Sequence, residues 1–300
     1  MKSKCLLVIT GPTAVGKTEV SVEIARHFRA EIISADARQF YRELHIGTAV
    51  PPKEVLASVP HHFIGHLSIS DYYNVALYEQ EALKLLDKLF RYSDYALVVG
   101  GSGLYIDTLC RGIDPMPDHS AGLRKEVHQF YKAEGLAGIR AWLKQLDPDY
   151  FAQVDPGNPQ RIMRAIEVCL AGGKPFSAMR VRNRQARPFS IRHVVLNRPR
   201  AELFSRINER VDNMIADGLI EEAMGLFEYR HLNALNTVGY RELYGWVSNR
   251  HSLADAIAKI KTNTRRYAKR QLTWFKKYED AAWVHPEETS TILQHLEGKG

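Results

Sequence analysis

The stretch Cys5-Leu-Leu-Val-Ile-Thr10, continued by Gly11-Pro12-Thr13-Ala14-Val15-Gly16-Lys17-Thr18 and by Glu19-Val20-Ser-Val-Glu-Ile24-Ala-Arg-His-Phe28, decides the fold. Six mostly apolar residues read as a buried strand. Val20, Ile24 and Phe28 recur at i, i+4 and i+8, which lays one apolar stripe along a helix. Between strand and helix stands the pattern GxxxxGK[ST], in the context its chemistry requires. Backbone N–H groups of such a loop, together with the helix amino end, form an anion nest. Lys17 adds a point charge, and the Thr18 hydroxyl can hold Mg²⁺. Residues 11–18 are therefore the candidate diphosphate or nucleotide site.

Working outward, Glu31–Ser34 reads as a second strand that closes a βαβ unit. A helix-period stretch from Tyr73 to Phe90 precedes a third strand, Tyr95–Val99, and Ile191–Leu196 reads as a further one. These alternations predict an α/β fold, a P-loop NTPase-like parallel sheet flanked by helices. From Asp114 to about Arg187 the pattern turns helical and polar, opened by Pro115 and Pro117. This predicts a catalytic core of residues 1–114 and 188–300 and a helical insertion of 115–187. Beyond Pro199 the whole chain reads as helix: Arg200–Ala216, Ile220–Tyr229, Val238–Trp246 and Ser252–Tyr278.

The loop's partner acid is not where an ATPase needs it. Tyr95-Ala-Leu-Val-Val99 runs into Gly100-Gly-Ser-Gly103 rather than a Walker-B aspartate. The second strand instead ends in Ser34-Ala-Asp36, which sets a carboxylate at the carboxyl edge of the sheet beside the loop. That arrangement suits a phosphate-bearing substrate with a general base close by.

With 300 residues, 45% hydrophobic and 25% charged, the chain is neither disordered nor low in complexity. No apolar run approaches the roughly 20 residues that span a bilayer, and the amino end flows straight into the glycine loop, so a non-secreted protein is expected. Cys5, Cys110 and Cys169 are isolated, which leaves no disulfide framework or CxxC pair and points to a reducing cytoplasm. The net charge of +7 is concentrated in two tracts. Arg180, Arg182, Arg184, Arg187, Arg192, Arg198 and Arg200 occur between residues 178 and 200 without an acid. Residues 250–278 carry nine basic residues against Asp255 alone. Such tracts read either as a phosphate-backbone footprint or as a solvated basic surface. His61-His62 faces opposite ways if extended, which favours a structural role over a metal pair.

Beyond these readings, seven ordered blocks resemble the tRNA dimethylallyltransferase family. They are the loop of residues 11–18; Ile33-Ser-Ala-Asp36 with Gln39, Tyr41 and Ile46-Gly-Thr-Ala49; Pro60-His-His62; Gly100-Gly-Ser-Gly-Leu-Tyr105; residues 158–168; Val238-Gly-Tyr240; and residues 264–274. The resemblance spans nearly the whole chain. It implies transfer of a dimethylallyl group from dimethylallyl diphosphate to N6 of adenosine 37, just 3′ of the anticodon, in tRNAs reading U-starting codons. It makes Asp36 the general base, places Lys17, Thr18, Mg²⁺ and Arg210 on the diphosphate, and sets Ser102, where most members have threonine, on the nucleotide. Contact with the anticodon stem-loop is implied for Asp36, Ala37, Arg38, Gln39, Ser102, Arg124, Gln160, Arg161, Ile162, Met163, Arg164, Arg265 and Arg270, with aromatic surface from Tyr267 and Trp274. Trp274 and Phe275 equally suit a core.

The chain departs from the family pattern at Ala37-Arg38, where many members have Ser-Met, and at Asn158, a frequent aspartate. The absence of a Cys and His pair at zinc spacing resembles bacterial members without zinc. A cytoplasmic monomer is the implied form. The rival readings are an adenylate isopentenyltransferase, a small-molecule kinase, and an RNA-stimulated ATPase.

Overall fold

The computed structural model describes residues 4–117, 121–180 and 185–298. Its framework is a six-stranded, wholly parallel sheet. In chain order the first elements are β1 (Cys5–Thr10), α1 (Lys17–Phe28), β2 (Ile32–Ser34), α2 (Lys53–Ser58), β3 (His61–His62), α3 (Val75–Leu89), β4 (Tyr95–Gly100) and α4 (Gly103–Arg111). There follow α5 (Ala121–Leu146), α6 (Pro148–Phe151), α7 (Pro159–Gly172) and α8 (Phe176–Met179). The chain then returns through β5 (Ser190–Leu196), α9 (Arg200–Ala216), α10 (Leu219–Gly225), α11 (Tyr240–Val247), α12 (Leu253–Phe275), β6 (Ala282–Val284) and α13 (Thr289–Glu297). Spatial order across the sheet is β3-β2-β4-β1-β5-β6.

β1 is central and buried along its whole length, which is why it reads as an unbroken apolar run rather than an alternation. Leu7 and Ile9 pack on one face against Val20, Ile24 and Phe28 of α1 and Leu203 and Ile207 of α9. Leu6 and Val8 pack on the other against Tyr78, Ala82 and Leu86 of α3 and Phe275 of α12. A further apolar cluster joins the carboxyl-terminal helices through Val211, Leu219, Leu243 and Ile260.

The chain divides into two compact units, Met1–Cys110 with Arg187–Gly300, and Arg111–Ala186. These boundaries stand a few residues before those read from the sequence. Arg187 belongs with the sheet because its guanidinium bonds the carboxylate of Glu79 and the carbonyls of Thr108 and Leu109 (2.9 Å). The second unit has its own core, built from Val127, Ile139, Leu143, Tyr150, Ile162, Met163 and Ile166.

Two sequence readings are corrected here. Residues beyond Pro199 are not all helical: Ala282-Trp-Val284 forms β6, the edge strand beside β5. Three residues carry too short a pattern to show a period, and the strand exists because β5 offers an edge to pair with. The helix expected over Ile220–Tyr229 also ends early, at Gly225, and a 3-10 turn covers Phe227–Tyr229. Asp255, the lone acid of the second basic tract, forms a capping box with Ser252 at the start of α12.

Candidate active site

The glycine loop of residues 11–18 leaves β1 and enters α1 at Gly16, whose φ of 106° is open to glycine and strained for other residues. No side chain caps α1, so its first-turn N–H groups stay open to an anion. Two of the loop's carbonyls are held by arginines. Arg206 Nε donates to the Ala14 carbonyl at 3.0 Å, and Arg198 Nε donates to the Val15 carbonyl at 2.9 Å. Because a trans peptide sets C=O and the following N–H on opposite sides, anchoring the Val15 oxygen turns the Gly16 N–H the other way, while the Val15 N–H donates to the Pro12 carbonyl at 3.4 Å. Lys17 Nζ lies over the loop, donating to the Gly11 and Pro12 carbonyls at 3.0 and 2.8 Å.

Asp36 follows β2. Its Oδ1 accepts the Arg38 N–H at 3.0 Å, a turn that holds the carboxylate at the sheet's carboxyl edge. Ser102 supports the same segment, its Oγ accepting the Ala37 N–H at 3.0 Å. One cavity of about 1420 Å³ is lined by Thr13, Lys17, Thr18, Asp36, Ser102 and Arg210, together with Tyr267 and Arg270 of α12. Burial brings the Lys17 ammonium down to about 8, opposed by the Asp36 carboxylate and reinforced by the Arg210 cation. Burial also lowers Arg210, with Asp36 and Glu19 opposing. Burial and the Asp36 carboxylate together raise the Tyr267 phenol, against a hydrogen bond to Ser102. Lys17, Arg210, Asp36 and the open helix end thus share one partly desolvated space.

The other sequence candidates divide. Arg270 faces the cavity, but Arg265 packs between helices, bonding Asn208 Oδ1 at 2.5 Å and the Thr262 hydroxyl at 3.0 Å. Arg38 lines the cavity while its guanidinium donates to the carbonyls of Asn233 (2.9 Å) and Ala234 (3.1 Å). Gln39 spends its amide on the Thr48 and Ala49 carbonyls at 3.2 and 3.1 Å. In the second unit, Arg124, Gln160 and Arg161 are exposed, and Arg164 is half-buried, 3.8 Å from Glu167. Asn158 caps α7, accepting the Arg161 N–H at 3.1 Å, a task aspartate performs equally well.

Ile162 and Met163 are corrected. Their side chains are 0% and 2% exposed, inside that unit's core, because helix period turns them away from the Gln160–Arg161 face. Phe275 is core and Trp274 is half-buried, with Lys277 Nζ 3.7 Å over its ring, which leaves Tyr267 as the cavity aromatic of that helix.

The first basic tract is not a continuous phosphate-facing surface. Arg187 and Arg198 are buried in ion pairs with Glu79 and with Glu202 and Glu287, and Arg192 donates to the Leu296 carbonyl. Arg182 and Arg184 lie outside the described residues. His61 and His62 do form a strand, and each ring bonds a separate partner, the Val59 carbonyl at 2.7 Å and Glu31 at 2.6 Å.

Sequence reading missed the residues that hold the site from behind. Glu222 accepts N–H bonds from His45 (2.9 Å), Ile46 (2.8 Å) and Gly47 (3.0 Å) and the Tyr240 hydroxyl at 2.5 Å, fixing a cavity wall. A Cβ on Gly47 would stand 2.6 Å from the Tyr240 ring, so the glycine of Ile46-Gly-Thr-Ala49 answers to a tyrosine far along the chain. Glu19, on the first turn of α1, was legible as an acid beside the loop. Arg206 carried no local signal, and Gln271 stood inside the family-like block of residues 264–274 with nothing to set it apart from its neighbours.

Fold and cavity define a P-loop-type protein whose glycine loop shares one cavity with a carboxylate and two cations. The IPP transferase family model matches residues 39–278. The chain belongs to that family. Among its relatives, a tRNA dimethylallyltransferase 1 of Bacteroides fragilis is 46% identical, covering 99% of each chain. Another, of Porphyromonas gingivalis, is 47% identical over 96% of each. The crystal structure of a Bacillus halodurans tRNA isopentenylpyrophosphate transferase superposes with a TM-score of 0.71 at 33% identity, covering 99% of this chain and 98% of that one. A eukaryotic dimethylallyltransferase acting on tRNA gives 0.78 at 26% identity over 99% of this chain and 77% of its own.

Proposed function

We propose that this chain transfers the dimethylallyl group of dimethylallyl diphosphate to N6 of adenosine 37 in tRNAs that read U-starting codons, releasing diphosphate. The observation that carries this reading is the joint placement of Asp36 with Lys17, Thr18 and Arg210 around one cavity. Adenine N6 attacks C1 of the dimethylallyl group as the C1–O bond breaks, and the electron pair leaves on the diphosphate. Lys17, Arg210 and the N–H groups at the start of α1 meet the charge that develops there. Asp36 accepts the N6 proton as the C–N bond forms. The target base cannot react while stacked, so it enters the cavity flipped out of the loop.

Mg²⁺ suits this donor set. It takes few protein oxygens alongside substrate phosphates and waters, and the Thr18 hydroxyl lines the cavity beside Glu19 and Asp36. When bound it neutralises charge on the diphosphate. The tight cluster Glu202, His285 and Glu287 fits a cation poorly, because Arg198 already pairs with both acids.

Arg270 and the α7 face bearing Gln160 and Arg161, with Arg164 and Arg124, supply the tRNA contacts. The enzyme proposed here works in the cytoplasm as a monomer; separately, no helix among the described residues is long and apolar enough to cross a membrane. Incubating the protein with Mg²⁺, dimethylallyl diphosphate and either unmodified tRNA or AMP, then analysing the nucleosides by mass spectrometry, tests the proposal. N6-dimethylallyladenosine in the tRNA is expected, and prenylation of AMP alone would move the activity to the free nucleotide.

A further inference from the structure

Gln271 lies on α12, one turn after Tyr267, and is only 5% exposed. Both ends of its amide are used. Oε1 accepts the Thr13 N–H at 2.9 Å, and Nε2 donates to the Gly101 carbonyl at 2.9 Å. The partners belong to different loops. Thr13 is in the diphosphate loop after β1, and Gly101 is in the glycine loop after β4. Ser102 follows Gly101, and its hydroxyl holds Ala37, the neighbour of Asp36. A continuous path of hydrogen bonds and short covalent links therefore runs from the leaving-group side of the cavity, through one side chain, to the base.

The residue type follows from the geometry. A part-buried N–H and a buried C=O must be satisfied at once, which an ammonium or a carboxylate cannot do and an apolar side chain would leave undone at a cost. The reach requires a bare backbone opposite, since a Cβ on Gly101 would stand 2.2 Å from Gln271 Nε2. One of the glycines in Gly100-Gly-Ser-Gly103 thus exists to admit this amide. Packing alone would not require an amide here, because Ala268 and Phe275 serve the core from the same helix.

We propose that Gln271 is a positioning residue for prenyl transfer, setting the separation between the diphosphate loop and the Ser102–Asp36 side of the cavity. The inference rests on the activity proposed above. Gln271→Met keeps the volume and removes both bonds. It is expected to stay folded, with tRNA affinity within about twofold of the parent, kcat lower by roughly 10- to 100-fold, and inorganic pyrophosphate bound several-fold more weakly, since small misplacements of reacting groups cost on this scale.

A double-mutant cycle with Ser102→Ala gives the readout that a purely structural role would not move. If Gln271 acts through Ser102, the double variant loses far less than the product of the two single losses. Multiplicative losses, or a folded Gln271→Met with parental kcat and pyrophosphate affinity, would overturn the proposal. Should Gln271→Met fail to fold, Gln271→Glu, which keeps the acceptor for Thr13 and loses the donor to Gly101, replaces it in the same cycle. A parent enzyme that prenylates nothing would refute the activity instead, and pyrophosphate affinity alone would then decide whether Gln271 orders the loop.

Discussion

The Ser102 hydroxyl accepts the Ala37 N–H at 3.0 Å, one residue past Asp36, so a group on the β4–α4 loop sets where the β2 carboxylate stands. Removing that acceptor leaves a partly buried N–H unpaired and frees the Asp36 segment. Ser102→Ala is expected to lower kcat roughly tenfold, whereas Ser102→Thr, which keeps the hydroxyl, stays near the parent. Steady-state rates on unmodified tRNA distinguish the two. Equal losses in both variants would show that the methyl group, not the hydrogen bond, governs the site.

Asp36 carries the proton transfer in the proposed reaction. Asp36→Ala should reduce turnover by roughly 10²-fold or more, the usual scale for a general base, with tRNA affinity nearly intact. Single-turnover kinetics at saturating enzyme separate the chemical step from binding. Parental turnover would remove Asp36 from the role.

The Lys17 ammonium, at about 8 instead of its ordinary 10.5, is charged below that pH and neutral above it. Anion binding therefore weakens as pH rises through about 8, while the neutral amine becomes a nucleophile. Acylation of Lys17, followed by peptide mass spectrometry, should rise with a midpoint near 8, and pyrophosphate should suppress it. A midpoint shared with the surface lysines would show that burial does not perturb this group.

Arg161 is exposed on α7 and Arg270 faces the cavity, so each can meet a tRNA phosphate. Replacing either with glutamine should weaken tRNA binding and reduce the salt slope by about one unit for each phosphate no longer neutralised. Arg265→Gln, at a side chain already spent on Asn208 and Thr262, should leave the slope unchanged and lower the melting temperature. An unchanged slope for Arg161 and Arg270 would place the tRNA elsewhere.

Glu222 holds three consecutive N–H groups and the Tyr240 hydroxyl. Glu222→Ala is expected to destabilise the protein by about 2 kcal/mol, the scale of leaving such groups unpaired. Thermal unfolding would read this as a drop of several degrees. An unchanged midpoint would mean that water replaces the carboxylate without cost.

What the amino-acid sequence determined by itself was whatever is written locally. The strand, loop and helix of residues 5–28 declare themselves because apolar period, glycine placement and the lysine–threonine pair all lie within one short window. Asp36 was legible for the same reason, standing two residues beyond a strand end. Tertiary structure alone decided which groups face the cavity. Ile162 and Met163 share a block with Arg161 yet turn inward, Arg198 counted toward a basic tract yet lies buried among acids, and three residues became β6 only because an edge was free. Gln271 bonds a residue 258 positions away, and Glu222 bonds backbone more than 170 positions away. Such pairings leave no trace in any local window, because hydrogen bonds and burial depend on distance in space, which only the folded chain supplies.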